Sequence, residues 1–292
     1  MLPLPSSSTN TPPVAMHQPP FDGQGLRVGV FDSGLGGLSI LRAIRARMPK
    51  ADILYVADSG HAPYGEKSDA FIETRSRRIT AFLLERQANL IVVACNTATA
   101  AAVHHLRMQW PGVPVVGVEP GLKPAVAQSQ AQRVGVLATP ATLRSQKFQT
   151  LVDTHGANAF VLLQPCPGLA REIEGGELDT PTLRTLVAGF SKPLIDAGVD
   201  TAVLGCTHYP FVAPLFQQAL GAEVTILDTA EAVARQTAHV GRGLAATANA
   251  APPGPVVGIT ELWSSGEPDH LTEVARRWLG LQTRASALPA DV

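Results

Sequence analysis

The sequence predicts an α/β fold of two similar, pseudo-symmetric three-layer domains with mostly parallel sheets, and an active site in the cleft between them. Short apolar runs of strand character alternate with helix-length segments along the 292 residues, which is typical of βαβ units. Val28-Gly29-Val30 recurs 106 residues later (134 minus 28) as Val134-Gly135-Val136. Cys95 and Cys206 end two similar apolar runs 111 residues apart (206 minus 95). Two matches in the same order indicate an internal duplication.

In the first half, apolar runs predict strands at 26–31, 53–57, 90–94 and 114–118. Amphipathic spacing predicts helices between them at 40–48, 68–86 and 98–108, the first closed by Pro49. In the second half, we predict strands at 133–137, 161–163, 199–204 and 224–227. The helices there end near residues 152, 175, 197 and 239, and Pro181 takes the first helical position of the third.

The remaining segments set the domain boundaries. After a linker of small residues and proline at 245–255, a strand at 256–260 and a helix at 271–279 could cross back to the first sheet. We therefore assign 26–119 plus 229–280 to the first domain and 120–228 to the second. Residues 1–25, rich in Pro, Ser, Thr and Gln, are expected to be a disordered tail, and 281–292 a C-terminal tail.

Composition excludes several classes of function. The net charge is -1 and no basic run stands out, so nucleic acid is not expected as a partner. No apolar run reaches the length of a membrane span, and the N-terminal residues lack the pattern of a signal peptide. Three scattered cysteines form neither a disulfide framework nor a metal-ligand spacing, so we expect a cytoplasmic protein without a metal site.

Reactive groups cluster in the loops that follow predicted strands. Ligands of open α/β sheets bind at the carboxyl ends of the strands, and the helix N-termini there favour an anion. The candidate ligand-binding residues at these positions are Asp32, Ser33, Tyr64, Gly65, Asn96, Thr97, Thr139, Thr207 and His208, with Thr142 nearby.

Two common cofactors fit poorly. The glycines at 34, 36 and 37 lack the G-x-G-x-x-G spacing of dinucleotide-binding loops. Asp58, after the second strand, opens a longer loop with Pro63-Tyr64-Gly65 and is not expected to hold a ribose. None of the five lysines lies in a recognisable pyridoxal phosphate setting; they are Lys50, Lys67, Lys123, Lys147 and Lys192. We therefore expect a cofactor-free reaction.

Each reactive residue also has a plain structural interpretation. A free cysteine is most often a small buried hydrophobe, but the matched settings of Cys95 and Cys206 favour paired thiols at one site. Asp32 could simply be an N-cap, and His208 could cap a helix or tune the pKa of the Cys206 thiol. Cys166, between two prolines, lacks such a setting and is expected to be inert.

Five blocks carry a resemblance to a known family. They are Gly29–Gly37, Asp58–Gly65, Ala94–Ala98, Gly117–Gly121 and Gly205–Pro210. Together they resemble bacterial glutamate racemase over roughly residues 26–280. The resemblance implies a cofactor-independent interconversion of L- and D-glutamate that supplies D-glutamate for peptidoglycan synthesis and cell shape.

The resemblance also implies roles for individual residues. Cys95 would act on the D face of glutamate with help from Asp32, and Cys206 on the L face with help from His208. Glu174 matches a family carboxylate, although Gly168, Arg171 and Glu172 around it replace more apolar residues; from the sequence alone it is a helix-end carboxylate. We expect the protein to form a homo-oligomer, and specifically a dimer.

Alternatives remain open at this point. An aspartate racemase or a related thiol-based isomerase or decarboxylase would share both cysteines. A non-catalytic two-lobed amino-acid binder would use the same anion-friendly loops but would tolerate the loss of either thiol. A single-thiol acyl-transfer enzyme would leave the pairing of the cysteines unexplained.

Overall fold

The computed structural model describes residues 21–156, 159–247 and 257–292. Ten strands are assigned there, namely β1 (Arg27–Asp32), β2 (Asp52–Ala57), β3 (Leu90–Val93), β4 (Val115–Gly117), β5 (Arg133–Ala138), β6 (Phe160–Pro165), β7 (Thr201–Leu204), β8 (Thr225–Leu227), β9 (Thr260–Ser264) and β10 (Ala285–Ala287). The helices are α1 (Leu38–Arg47), α2 (Asp69–Glu85), α3 (Asn96–Gln109), α4 (Leu122–Gln128), α5 (Pro140–Arg144), α6 (Gln146–His155), α7 (Leu169–Glu174), α8 (Pro181–Asp196), α9 (Ala213–Leu220), α10 (Ala230–Thr247) and α11 (Pro268–Leu279). Short 3₁₀ turns occupy Ser59–His61, Tyr64–Glu66 and Tyr209–Val212.

Each of the two predicted domains, which we call lobes, is built around one parallel sheet. The first sheet has the order β10-β9-β2-β1-β3-β4 and the second β6-β5-β7-β8. The second therefore repeats the β2-β1-β3-β4 part of the first, and Val28 and Val134 each begin the pairing with the corresponding neighbour, at Leu90 and Thr201. This equivalence agrees with the duplication inferred from the sequence.

Each sheet is covered by helices on both faces. Along β1, Val28 and Val30 pack in the core on one face and Phe31 in the core on the other. The second sheet is likewise buried between two apolar clusters. This burial explains why the strands read as continuous apolar runs, and each buried aliphatic side chain contributes about 1.5–3 kcal/mol.

Equivalent glycines allow close helix packing in both lobes. A Cβ added at Gly29 would lie 3.0 Å from Leu83 of α2, and one at Gly135 would lie 2.6 Å from Leu194 of α8. The repeated valine-glycine-valine motif thus marks the strand on which a helix rests closely.

The chain ends differ from the sequence prediction. Residues 281–292 are not a free tail, because β10 pairs with β9 and the amide of Leu288 donates to the carbonyl of Ser264. Residues 21–25 are also ordered, since Phe21 packs on the core and Asp22 forms an ion pair with Lys50. Residues 1–20 lie outside the described residues.

Two other boundaries shift. Residues 256–260 were expected to form the last strand, but β9 begins at Thr260, where pairing with Ile53 sets its register on β2. Residue 256 lies outside the described residues. α10 continues past His239 to Thr247, because Val240 and Leu244 extend its apolar face against the first core. The predicted linker therefore loses residues 245–247 to the helix, and its residues 248–255 lie outside the described part.

Within the three described ranges, no helix combines the length and apolar character needed to cross a membrane.

Candidate active site

The cleft lies where the carboxyl ends of both sheets face each other. One lobe supplies Asp32, the last residue of β1, and Thr97, in the first turn of α3 after β3. The other supplies Thr139 and Thr207 from the segments that follow β5 and β7. Thr207 donates its hydroxyl to Asp32 Oδ2 over 3.3 Å, and the hydroxyls of Thr97 and Thr139 lie 3.2 Å apart. These buried cross-lobe hydrogen bonds bring together residues that the sequence placed at separate strand ends.

Cys95 is the N-cap of α3 and is only 6% exposed. Its Sγ accepts from the amide of Ala98 at 3.4 Å and donates to Ser33 Oγ at 3.8 Å. Burial, reinforced by the negative charge of Asp32, raises the pKa of the Cys95 thiol well above its usual value. A base must therefore assist if this thiol is to ionise.

Asp32 is a fully buried carboxylate beside that thiol. It accepts from the amide of Ser33 at 2.7 Å and also from the amide of Gly37. Burial raises the pKa of Asp32 to about 6, while the charge on His208 opposes the rise. Asp32 is thus ionised at neutral pH, but it can take up a proton at moderate cost.

Cys206 has a different set of partners. Its Sγ lies 3.6 Å from His208 Nδ1, and His208 Nε2 bonds to Glu174 Oε1. Burial opposes the charge on the ring, but hydrogen bonds to Cys206 and Glu174 outweigh burial and raise the pKa of His208 above its usual value. The two thiols are therefore not equivalent. Cys95 lies beside a carboxylate, whereas Cys206 contacts a histidine that is itself bonded to a carboxylate.

Glu174 lies at the cleft and contacts His208, which the sequence alone did not indicate. Its Oε1 also accepts from the amide of Leu35 at 2.6 Å, so the first lobe fixes the carboxylate that holds His208. His270 of α11 bonds to the carbonyl of Glu174 at 2.8 Å. A helix-end residue is thus fixed between both lobes.

The glycine cluster after β1 makes room for these side chains. A Cβ on Gly34 would lie 2.2 Å from Glu174 Oε1, and one on Gly36 would lie 2.4 Å from His208 Nδ1. Real Cβ atoms essentially never make contacts shorter than 3.0 Å. These glycines permit close approach by the second lobe, which is a physical reason for a motif that superficially resembles a nucleotide-binding loop.

Two predicted binding positions have contrasting surroundings. Asn96 is 5% exposed, and neither polar atom of its side-chain amide has a hydrogen-bond partner in the described part of the chain. The Tyr64 hydroxyl instead donates to Asp58 Oδ2 at 2.5 Å, while Gly65 lies against Thr139. The tyrosine hydroxyl is therefore already bonded within its own lobe.

Sequence reasoning missed one polar contributor, Ser39, and named a second, Thr142, without its partners. Ser39 of α1 donates its hydroxyl to the carbonyl of Thr207 at 2.9 Å, which joins the lobes beside Cys206. The hydroxyl of Thr142, which the sequence placed among the reactive loop groups, lies 3.3 Å from that of Thr97 and 3.0 Å from that of Thr139. Ser39 lies on an amphipathic helix, where a serine gives no signal of a cross-lobe contact.

Within the residues that the structure describes, no group of three or more His, Cys, Asp or Glu side chains is arranged to hold a metal ion. Three of the five lysines form ion pairs, with Asp22, Glu119 and Asp196.

Known proteins resemble this chain over most of its length. The Asp/Glu/Hydantoin racemase family model matches residues 38–237. A glutamate racemase from Pseudomonas aeruginosa is 49% identical over 249 residues, which cover 85% of this chain and 91% of the relative. One from Methylococcus capsulatus is 49% identical over 272 residues, covering 90% and 95%.

Solved structures give the same result. A glutamate racemase isoform from Bacillus anthracis has a TM-score of 0.81 at 30% identity, covering 92% of this chain and 99% of its own. The Escherichia coli glutamate racemase, in complex with L-glutamate and the activator UDP-MurNAc-Ala, has a TM-score of 0.79 at 30% identity, covering 90% and 98%.

The fold, the paired thiols and the family match define an amino-acid racemase: the chain belongs to the Asp/Glu/hydantoin racemase family. Within that family it groups with the glutamate racemases.

Proposed function

We propose that this chain interconverts L- and D-glutamate without a cofactor, by proton transfer at Cα between Cys95 and Cys206. The observation that carries the proposal is the pair of buried thiols at equivalent strand ends of two lobes, each with its own proton-handling partner. The substrate follows from the relatives, which are named as glutamate racemases.

Cys95 would serve the D enantiomer. Its thiolate takes the α-proton of D-glutamate, and the electron pair of the broken C–H bond remains on the substrate, delocalised into the α-carboxyl group. Asp32, ionised at neutral pH, is the group that could take the thiol proton beforehand, because its raised pKa of about 6 makes it a stronger base than an exposed aspartate. Ser33 and the amide of Ala98 would orient the sulfur.

Cys206 would then protonate the opposite face to give L-glutamate, and the reverse reaction exchanges the two roles. His208, charged through its contacts with Cys206 and Glu174, would return a proton to this thiolate or stabilise it. Because the carbanionic species must be kept from water, the cross-lobe contact between Thr207 and Asp32 favours a closed state during turnover.

The substrate would be held by polar groups from both lobes. The unpartnered amide of Asn96 suits a carboxylate or ammonium group. The proposed binding set comprises Asp32, Ser33, Tyr64, Gly65, Asn96, Thr97, Thr139, Thr207 and His208.

Serine substitution of each cysteine tests the assignment. Circular dichroism of glutamate, followed without added cofactor, should show racemisation by the wild type and more than about 1,000-fold loss in Cys95→Ser and in Cys206→Ser, because an alcohol is a far weaker acid than a thiol. Cys166→Ser, the third buried cysteine, is the matched control and should retain activity. Near-normal turnover by either active-site variant would refute the two-thiol mechanism, and faster turnover of aspartate would refute the substrate.

The cellular setting follows from this activity. The enzyme would work in the cytoplasm as a homodimer and supply D-glutamate for peptidoglycan synthesis. Sedimentation velocity would test the dimer: a single species at the monomer mass, 30.7 kDa, would rule it out.

A further inference from the structure

A buried carboxylate anchors the Tyr64–Gly65 loop of the cleft. Asp58 follows β2 directly and is fully buried. Its Oδ2 accepts the Tyr64 hydroxyl at 2.5 Å, and its Oδ1 lies 3.0 Å from His61 Nδ1. One carboxylate therefore contacts the loop at two points, three and six residues along the chain.

An arginine from α2 neutralises this carboxylate. Arg75 donates from Nε to Asp58 Oδ2 at 2.9 Å and from Nη2 to Oδ1 at 2.7 Å, the two-point geometry in which a guanidinium binds a carboxylate most strongly. Burial alone would raise the pKa of Asp58, but hydrogen bonds from Arg75, Ser265 and Tyr64 outweigh it and lower the pKa. The Arg75 side chain is only 8% exposed, so water screens the pair little.

The C-terminal segment, residues 285–292, contacts the outer side of Arg75. Arg75 Nη1 donates to the main-chain oxygen of Val292. The segment is itself fixed by the pairing of β10 with β9, the buried side chain of Leu288 and the bond from its amide to Ser264. A continuous chain of contacts thus runs from the edge of the sheet through Arg75 and Asp58 to the cleft loop.

We propose that Arg75 is a positioning residue which, braced by the C-terminal segment, holds Asp58 and through it the Tyr64–Gly65 loop in the conformation that binds substrate. The role at the substrate rests on the proposed function. Among the residues that the structure describes, no hydrogen bond joins Arg75 to either thiol, so its loss should weaken substrate binding far more than proton transfer. Gly65 lies against Thr139 of the other lobe, so a displaced loop also alters the facing wall of the cleft.

Two variants test the proposal, Arg75→Gln and deletion of residues 289–292. The deletion leaves both residues of the Arg75–Asp58 pair in place and removes the brace together with the packing of Val292 on the core, so it remains informative if Arg75→Gln folds poorly. Arg27→Gln is the matched control: Arg27 lies in the same sheet and pairs with Glu261 at 2.8 Å, but it starts β1 at the end away from the cleft.

The readouts are KM and kcat for glutamate, together with hydrogen–deuterium exchange of residues 58–67. We expect KM to rise about tenfold in Arg75→Gln, which corresponds to the loss of about one hydrogen bond to a charged group, and to rise less in the deletion. We expect kcat to stay within about threefold of wild type in both variants. Loop amides that bond within the segment, such as His61 to Asp58 and Lys67 to Tyr64, should exchange about tenfold faster. Arg27→Gln should change neither quantity.

Unchanged KM and unchanged loop exchange in both variants would overturn the proposal, as would an equal change in Arg27→Gln. A fall in kcat at constant KM would also overturn it. If the wild type fails to racemise glutamate, the proposed function fails, and the exchange measurement still decides whether Arg75 holds the loop.

Discussion

Replacing Gly36 with alanine adds a single methyl group where His208 comes closest to the first lobe. The new Cβ would lie 2.4 Å from Nδ1 and 2.6 Å from Cε1 of the ring. A normal contact needs about 3.5 Å, so the ring must move by about 1 Å. His208 is 2% exposed and bonded at both nitrogens, so it cannot move without disturbing its contact with Cys206 or Glu174.

A displacement of about 1 Å at a proton-transfer group costs about 100-fold in rate, or about 2.7 kcal/mol in the activation barrier. Overpacking should also lower the free energy of unfolding by about 1–3 kcal/mol. The backbone conformation does not oppose the substitution, since Gly36 does not adopt a positive φ. The predicted loss is therefore specific to the contact with His208.

Circular dichroism of glutamate turnover measures kcat, and thermal unfolding shows whether the variant is folded. Gly189→Ala is the control, because a Cβ there meets nothing within 4 Å, and it should keep kcat within twofold of wild type. A folded Gly36→Ala enzyme with kcat within threefold of wild type would refute the assignment of this glycine and, with it, the tight seating of His208.

Three further predictions concern the site. Glu174→Gln removes the charge next to His208 and should lower kcat about 10- to 100-fold, whereas Glu177→Gln, an exposed residue near the same turn, should leave turnover unchanged. Burial raises the pKa of Asp32 from 3.8 to about 6, so the stability that its protonated carboxyl contributes is complete below pH 3.8 and is lost as pH rises through 6. In urea unfolding, the wild type compared with Asp32→Asn should therefore lose about 1.4 kcal/mol of unfolding free energy between pH 5 and 7.5. The same pH dependence of stability in both proteins would contradict this prediction. Cys166→Ala should cost about 1 kcal/mol of folding free energy through lost packing and leave turnover within twofold; a large loss of activity would make this thiol part of the mechanism.

Local patterns were enough to predict the fold class and the convergence of the polar loops. Cys95 and Cys206 each follow a buried parallel strand, and ligands of open α/β sheets bind outside the carboxyl ends of such strands. The repeated valine-glycine-valine motif indicated the duplication because equivalent strands carry the same packing constraint. These features depend on short stretches of sequence.

Features that depend on distant partners could not be read this way. The contact between Glu174 and His208 joins residues 34 positions apart, and nothing in a helix-end glutamate indicates its partner. β10 is an Ala-Ser-Ala segment with low strand propensity, formed only because β9 offers an open edge. In the sequence, Arg75 is one of several charged residues of an amphipathic helix, and only the fold shows that it contacts Asp58.

Deuterium incorporation tests the two-thiol mechanism most directly. With L-glutamate as substrate in heavy water, the account predicts that newly formed D-glutamate carries deuterium at Cα, because the proton delivered to the D face comes from a solvent-exchanged thiol on Cys95. The remaining L-glutamate should stay largely unlabelled early in the reaction, because Cys206 removes the proton on the opposite face. Unlabelled D-glutamate, or equal early labelling of both enantiomers, would contradict the assignment of one thiol to each face.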